Sequence, residues 1–131
     1  MSDATEPPVR FTLNLPAIPV SVTAARGLVR VLHPWLDLEQ LKRCELIVSE
    51  IVTNAIRHGT PTAHDTVEFE ITAAPGTVAG CVRDRGPAFR APDEPRPRER
   101  IGGFGLAIVQ RLASSLSIER SPTGNQVRFS L

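Results

Sequence analysis

The stretch from Asp37 to Gly59, DLEQLKRCELIVSEIVTNAIRHG, constrains the fold more than any other part of the 131-residue chain. Asp37 can cap the first turn of a helix, and Gln40, three residues later, can complete a capping box. Gly59, followed closely by Pro61, predicts where the helix ends. The apolar residues between these limits recur at helical spacing, which predicts one buried face. They are Leu41, Ile47, Val48, Ile51, Val52, Ala55 and Ile56.

Three polar residues, Glu50, Asn54 and His58, are spaced four apart on this helix. They therefore form one stripe, which directly neighbours the apolar face. A polar stripe in that position suggests the rim of a pocket. A solvated polar edge is the alternative, because rows of polar residues at this spacing are common on helices.

Length and composition exclude several classes of protein. A chain of 131 residues with 41% apolar residues predicts one domain with a real core, and no apolar run approaches a membrane span. The first ten residues, MSDATEPPVR, lack the apolar segment of a secretory signal, so we expect a cytoplasmic protein. We expect residues 1–8 to form a flexible tail and residues 9–131 to form the domain. A net charge of +1 gives no field that would attract nucleic acid, and no membrane association is expected.

Reactive side chains are few. Cys44 and Cys81 fall in a predicted helix and a predicted strand, where we expect two reduced, packed thiols. Cys and His residues show no metal-binding spacing. Lys42 is the only lysine, and it lies in neither a P-loop nor the strand position that an ordinary protein kinase uses. A protein with this sequence that handles ATP must therefore do so in another way.

The remaining patterns predict a strand at Arg10–Leu15, a helix at Ser21–Leu32 and a hairpin of two strands around Pro75–Gly76. In the second strand of that hairpin, Asp84 shares its parity with Val78 and Val82. It is therefore expected to point to the buried face, where a carboxylate needs a hydrogen-bond partner. An aspartate that turns into the following loop is the alternative.

The segment 86–102 is rich in proline and arginine and is expected to be an irregular lid. The glycines that follow, Gly103 and Gly105, open a helix whose backbone amides suit phosphate, although glycines also serve as simple hinges. A final hairpin turns at residues 121–124. The predicted order of elements is strand, helix, helix, two strands, lid, helix and two strands. This order predicts a two-layer α/β (α+β) sandwich, in which a mostly antiparallel sheet is covered on one face by three helices.

Three motifs follow one another in the order of the N, G1 and G2 boxes of the GHKL (Bergerat-fold) ATPases, which this chain resembles from Phe11 onward. They are Glu50-X-X-X-Asn54-Ala55-X-X-His58 on a helix, Asp84-X-Gly86 at a strand end and Gly103-X-Gly105-Leu106 after a lid. Within that superfamily the chain is most similar to the anti-sigma-factor serine/threonine kinases, in its size and in the sequence motif SEIVTNAIRHG.

The resemblance implies roles for individual residues. Asn54 is expected to ligate Mg²⁺ through its side-chain oxygen, and Glu50 to act as general base on the incoming hydroxyl. Asp84 is expected to accept a hydrogen bond from the adenine amino group, and Arg26 to face a partner protein. The other residues expected at the nucleotide are Arg57, His58, Gly86, Ala88, Gly102, Gly103, Phe104, Gly105, Leu106 and Asn125.

The chain departs from the family's pattern at three points, the first of which is the lid rich in proline and arginine. Ala88 occupies a position where a second glycine is usual. The last hairpin carries Gly124-Asn125-Gln126 where the family usually has Gly-Thr-Thr or similar, whose hydroxyl supports the adenine-binding carboxylate. An amide from Asn125 would have to replace that hydroxyl.

The resemblance implies an ATP-dependent serine/threonine protein kinase that uses ATP and Mg²⁺ and forms a homodimer. It would hold a sigma factor and phosphorylate a small anti-sigma antagonist protein. Two alternatives stay open. One is a non-catalytic nucleotide-binding module that sequesters partners, which Ala88 and Asn125 slightly favour and the intact Glu50 and Asn54 oppose. The other is a stand-alone ATPase subunit of a split histidine kinase.

Overall fold

The computed structural model describes residues 7–58, 65–85 and 107–131. These ranges contain five strands, the helices α1 and α2, and the described part of a third helix, α3, at residues 107–112. The bounds of the other elements in chain order are β1 Val9–Pro16, α1 Val20–Arg30, α2 Leu38–His58, β2 Thr66–Ala74, β3 Thr77–Asp84, β4 Ser115–Ser121 and β5 Gly124–Ser130.

The five strands form one sheet in the order β1-β2-β3-β5-β4, and every described pairing is antiparallel. Helix α1 packs against α2, and α2 packs against β2 and β3. Val109 of α3 belongs to the same apolar cluster. The helices therefore cover one face of an antiparallel sheet, and the predicted two-layer sandwich is confirmed.

Alternation along the strands decides which face of the sheet the helices cover. Val67, Phe69 and Ile71 of β2 are fully buried, whereas Glu68 and Glu70 lie on the opposite, open face. Burying each of these apolar side chains contributes roughly 1.5–3 kcal/mol. The α2 residues that join the same cluster with almost no exposed surface are Cys44, Ile47, Val48, Ile51 and Val52.

The start of α2 is held by the predicted capping box. The Gln40 backbone N–H donates to Asp37 Oδ1 at 2.8 Å, and the Asp37 N–H donates to Gln40 Oε1 at 3.0 Å. Gln40 also donates through Nε2 to the carbonyl of Gly76 at 2.8 Å, while the Gly76 N–H donates to the carbonyl of Trp35. The cap therefore attaches the start of α2 to the β2–β3 turn and sets how the helix lies on the sheet. Gly59, predicted to end the helix, lies outside the described residues.

The last hairpin turns where the sequence predicts, at residues 121–124. Ser121 pairs with Gly124, so residues 122 and 123 form the loop between β4 and β5. The φ angle of Gly124 is +150°, a conformation that L side chains rarely adopt. The glycine thus lets β5 begin directly after the two-residue loop, and Asn125 is a strand residue.

Both cysteines are free and buried, as predicted, but they lie on opposite faces of the sheet. Cys44 is enclosed in the core, and burial, with a smaller contribution from Glu45, raises the pKa of its thiol to about 12. Cys81 shares the open face with Arg83 and Arg128. Burial raises its pKa, and the two guanidinium groups oppose that shift. Both thiols are therefore neutral at pH 7.

No helix in the described ranges is long and apolar enough to cross a membrane.

Candidate functional site

The polar stripe of α2 borders the buried face of the helix. Glu50 and Asn54 are both half-buried, next to the buried Ile51 and Ala55. Because α2 packs on β3, the stripe belongs to the helix that covers the strand ending in Asp84. A partly buried carboxylate and amide beside an apolar surface suit the rim of a pocket better than a fully solvated edge.

Two other residues of this stretch were expected at the nucleotide. Arg57 is exposed on the last turn of α2. His58 is the last residue of α2, and its side chain lies outside the described part of the molecule.

The inward-facing aspartate has a partner on the neighbouring strand. Asp84 ends β3 on the face that carries Val78 and Val82, and it is 8% exposed. It pairs in register with Asn125 of β5, which is also 8% exposed, and Asn125 Nδ2 donates to Asp84 Oδ1 at 2.9 Å. The Asn125 amide thus makes the predicted hydrogen bond to Asp84, and this bond holds the Asp84 carboxylate at the end of the sheet.

The orientation of the Asn125 amide follows from its chemistry. Turning the amide over would bring its carbonyl oxygen against a carboxylate oxygen, and two acceptors repel. With Nδ2 on Asp84, Asn125 Oδ1 is buried and has no hydrogen-bond partner among the described residues. A buried acceptor without a partner costs about 1–3 kcal/mol, so such an atom points to a ligand or water.

Gly124 allows β5 to approach β3 at this corner. A Cβ atom at residue 124 would overlap the backbone carbonyl oxygen of Asp84 and would lie 3.2 Å from the Cα of Arg85. Only a residue without a side chain fits here, and its contact brings Asn125 alongside Asp84. The sequence contains a signal for this feature, since Gly124 follows Pro122-Thr123 in a turn. The pattern does not reveal the close approach to Asp84.

A cavity of about 630 Å³ reaches this corner from the other side of the sheet. Asp84, Gly124 and Asn125 line one end of it, while Glu68 and Arg83 line its wall on the open face. Within the ranges that the structure describes, no residue of α2 lines it. It is therefore distinct from the α2 side of the sheet, where the sequence predicts the nucleotide.

The open face carries charged side chains that are paired with one another. Arg83 donates through Nε to Gln126 Oε1 at 2.9 Å and lies 3.3 Å from Glu70 and 3.6 Å from Glu68. Arg10 Nε lies 2.8 Å from Glu70. Arg83 and Arg10 thus both have acidic partners, so their network is explained by cross-strand pairing.

The other expected site residues separate into two groups. Arg26 is an exposed residue of α1. The lid at 86–102 and the glycine-rich segment after it lie outside the described residues, and with them the residues Gly86, Ala88, Gly102, Gly103, Phe104, Gly105 and Leu106. The described part of the candidate site therefore consists of the α2 stripe and the Asp84–Asn125 pair. In that part of the chain no group of three His, Cys, Asp or Glu side chains could hold a metal ion.

Comparison with known proteins bears on this arrangement. A family model described as the histidine kinase-like ATPase domain matches residues 15–131. The anti-sigma F factor of Bacillus subtilis is 30% identical over an alignment of 117 residues, gaps included, that covers 82% of this chain and 78% of that protein. The anti-sigma F factor of Bacillus licheniformis is 27% identical over an alignment of 122 residues that covers 86% of this chain and 84% of that protein.

Two solved structures share the fold. The RsbU and RsbW domains of Rv1364c from Mycobacterium tuberculosis superpose with a TM-score of 0.69 at 23% identity, over 95% of this chain and 32% of that one. The blue-light-activated histidine kinase EL346 of Erythrobacter litoralis superposes with a TM-score of 0.61 at 21% identity, over 88% of this chain and 41% of that one. The chain thus spans less than half of either structure, and at these identities the likeness concerns the fold alone.

Proposed function

The chain belongs to the histidine kinase-like ATPase family, and from that premise we propose that it is an ATP-dependent serine/threonine protein kinase of the anti-sigma type. The observation that carries the proposal is the buried Asp84 carboxylate, held by Asn125 on the sheet face that α2 covers. A carboxylate in that position is suited to accept a hydrogen bond from the amino group of adenine. The groove between α2 and the end of β3 is the proposed nucleotide site.

Asn54 and Glu50 form the proposed catalytic end of this groove. The residues fit the expected ion, because Mg²⁺ prefers oxygen ligands and keeps several waters and phosphate oxygens, so one amide oxygen from Asn54 suffices. When bound, ATP would supply the phosphoryl group, and Mg²⁺ would neutralise the charge that develops on it during transfer. Glu50, one helical turn before Asn54, orients the substrate hydroxyl and accepts its proton.

The relatives named anti-sigma F factor support a role in partner switching. We propose that the protein is cytoplasmic, forms a homodimer, holds a sigma factor and regulates transcription by releasing it. Its substrate would be a serine or threonine of a small anti-sigma antagonist protein.

Two substitutions on α2 test the proposed mechanism. Glu50→Gln keeps the side-chain shape and removes the base, so we expect phosphate transfer to fall by about 10²–10⁴-fold while Mg²⁺–ATP binding is kept. Asn54→Ala removes the metal ligand, so we expect loss of both. The measurements are radiolabelled phosphate transfer to a captured partner and calorimetric titration with Mg²⁺–ATP. Glu45→Gln is the matched control, since Glu45 lies on the same helix and pairs with Arg30.

Each outcome separates one alternative. A wild type that binds ATP but transfers no phosphate to any captured partner would be a non-catalytic sequestering module. A phosphoprotein that loses its label in acid would carry phosphohistidine and indicate a split histidine kinase, since phosphoserine survives acid. Full activity of Glu50→Gln would disprove the assigned base and leave the fold unaffected.

Arg26 is the proposed contact to the partner. It is an exposed residue of α1. Arg26→Ala is expected to weaken capture of the partner and leave ATP affinity unchanged, as measured by pull-down and calorimetry. Arg43→Ala provides the control, because Arg43 is an exposed arginine of α2 that pairs with Glu39. Equal capture by both variants would make Arg26 an ordinary surface residue.

A further inference from the structure

We propose that Asn125 reads the nucleobase directly, as a second acceptor beside Asp84, and selects bases that carry an exocyclic amino group. The observation behind it is that Asn125 Oδ1 is buried and has no hydrogen-bond partner in the described part of the chain. This inference rests on the proposed nucleotide site, and it assigns Asn125 a role beyond support of the aspartate.

The position of this oxygen is fixed by the opposite end of the same amide. Asn125 Nδ2 donates to Asp84 Oδ1 at 2.9 Å, and the residue is 8% exposed. Because the carboxamide group is planar, holding Nδ2 on the carboxylate also fixes where Oδ1 lies. The side chain therefore presents its carbonyl oxygen at the end of the sheet, next to the Asp84 carboxylate and on the same face.

Two neighbouring acceptors match one kind of ligand group. A primary amino group has two N–H bonds that diverge, so it can donate one to Asp84 and the other to Asn125 Oδ1. A 6-oxopurine would instead bring a carbonyl oxygen toward two acceptors, and that arrangement is repulsive. The pair thus favours a 6-aminopurine nucleotide over its 6-oxo counterpart, and each residue contributes a separate hydrogen bond to that choice.

A supporting role alone does not explain an asparagine at this position. A hydroxyl of serine or threonine could donate to the Asp84 carboxylate equally well. It would also remain free to rotate toward another partner. The asparagine adds a fixed carbonyl oxygen that is buried without a partner in the described residues, and an unsatisfied buried acceptor is unfavourable unless a ligand satisfies it.

The test measures base discrimination instead of affinity alone. ATP and purine riboside 5′-triphosphate, which has hydrogen in place of the amino group, are titrated with Mg²⁺ into the wild type and into Asn125→Thr. The threonine keeps a donor for Asp84 and removes the carbonyl oxygen. We expect the ratio of the two dissociation constants to be about three- to tenfold larger in the wild type, the contribution of one neutral hydrogen bond.

Gln126→Thr is the matched control. Gln126 is the next residue of β5, but it points to the open face and pairs there with Arg83. This variant introduces the same residue into the same strand and should keep the wild-type ratio. A reduced ratio in both variants would overturn the inference, because a general change in the strand would then explain the result.

A second measurement uses a modified nucleotide. N6-methyl-ATP retains one of the two N–H bonds, so the wild type should bind it several-fold more weakly than ATP, and Asn125→Ser should show a smaller difference. Equal ratios in wild type and Asn125→Thr, with ATP binding intact, would overturn this inference and leave the nucleotide site standing. Absence of ATP binding by the folded wild type would overturn the proposed function and this inference together.

Discussion

Two side-chain hydrogen bonds join β3 to β5 at neighbouring cross-strand residue pairs. They have the same length, but they lie on opposite faces of the sheet and differ in exposure. On the open face, Arg83 Nε donates to Gln126 Oε1 at 2.9 Å. On the helix-covered face, Asn125 Nδ2 donates to Asp84 Oδ1, also at 2.9 Å. The Arg83 side chain is 35% exposed, whereas Asp84 and Asn125 are each 8% exposed.

The surroundings decide what each contact contributes. Arg83 has two further acidic partners, Glu68 and Glu70, and water reaches the group, so the loss of one interaction is readily compensated. Asn125 has one described partner for its donor and none for its acceptor, in a site that water hardly reaches. Hydrogen bonds of equal length therefore serve cross-strand pairing on one face and, in our proposal, ligand recognition on the other.

The largest expected effect breaks the buried contact through the backbone. Gly124→Ala adds a Cβ that overlaps the Asp84 carbonyl oxygen, at a φ of +150°. We expect a loss of about 3 kcal/mol of folding free energy from overlap and backbone strain. Urea denaturation followed by circular dichroism measures it.

Gly27→Ala is the control for that measurement. Gly27 lies in α1 with nothing within 4 Å of the added methyl, and alanine should stabilise the helix by up to about 1 kcal/mol. A Gly124→Ala protein as stable as the wild type would show that β5 need not approach Asp84 so closely.

The next effect concerns the ligand. Asp84→Asn removes the charge from the buried pair and keeps its shape, so Mg²⁺–ATP should bind about 1–3 kcal/mol more weakly. Calorimetry with ATP and Mg²⁺ checks it. The matched substitution on the open face, Glu68→Gln, should leave the dissociation constant unchanged. An unchanged constant for Asp84→Asn would remove the assigned adenine contact.

The smallest effect is expected on the open face. Arg83→Met keeps the aliphatic part of the side chain and removes the guanidinium group. We expect it to lower folding free energy by less than about 1 kcal/mol, because part-exposed ion pairs are screened by water and salt. Denaturation at low and high salt should show the difference shrinking as salt rises. A loss that exceeds the Gly124→Ala loss would reverse the ranking of the two faces.

The sequence predicts the elements well because their signals are local. The capping box of Asp37 and Gln40 lies within one helical turn, and its hydrogen bonds are those expected. The alternation in β2 and β3 shows which side chains are buried, and it places Asp84 inward as predicted. The expected hairpin at residues 121–124 is confirmed, but the local sequence does not reveal how closely Gly124 approaches Asp84.

What the sequence by itself determines is therefore the order of elements, the buried faces and the motifs that identify the family. Only the tertiary structure decides that Asp84 lies opposite Asn125, 41 residues further along the chain, and that the amide is left with a buried, unpaired acceptor among the described residues. The physical reason is that strand register between distant segments depends on the packing of the whole sheet. The spacing of residues along the chain therefore does not reveal this register.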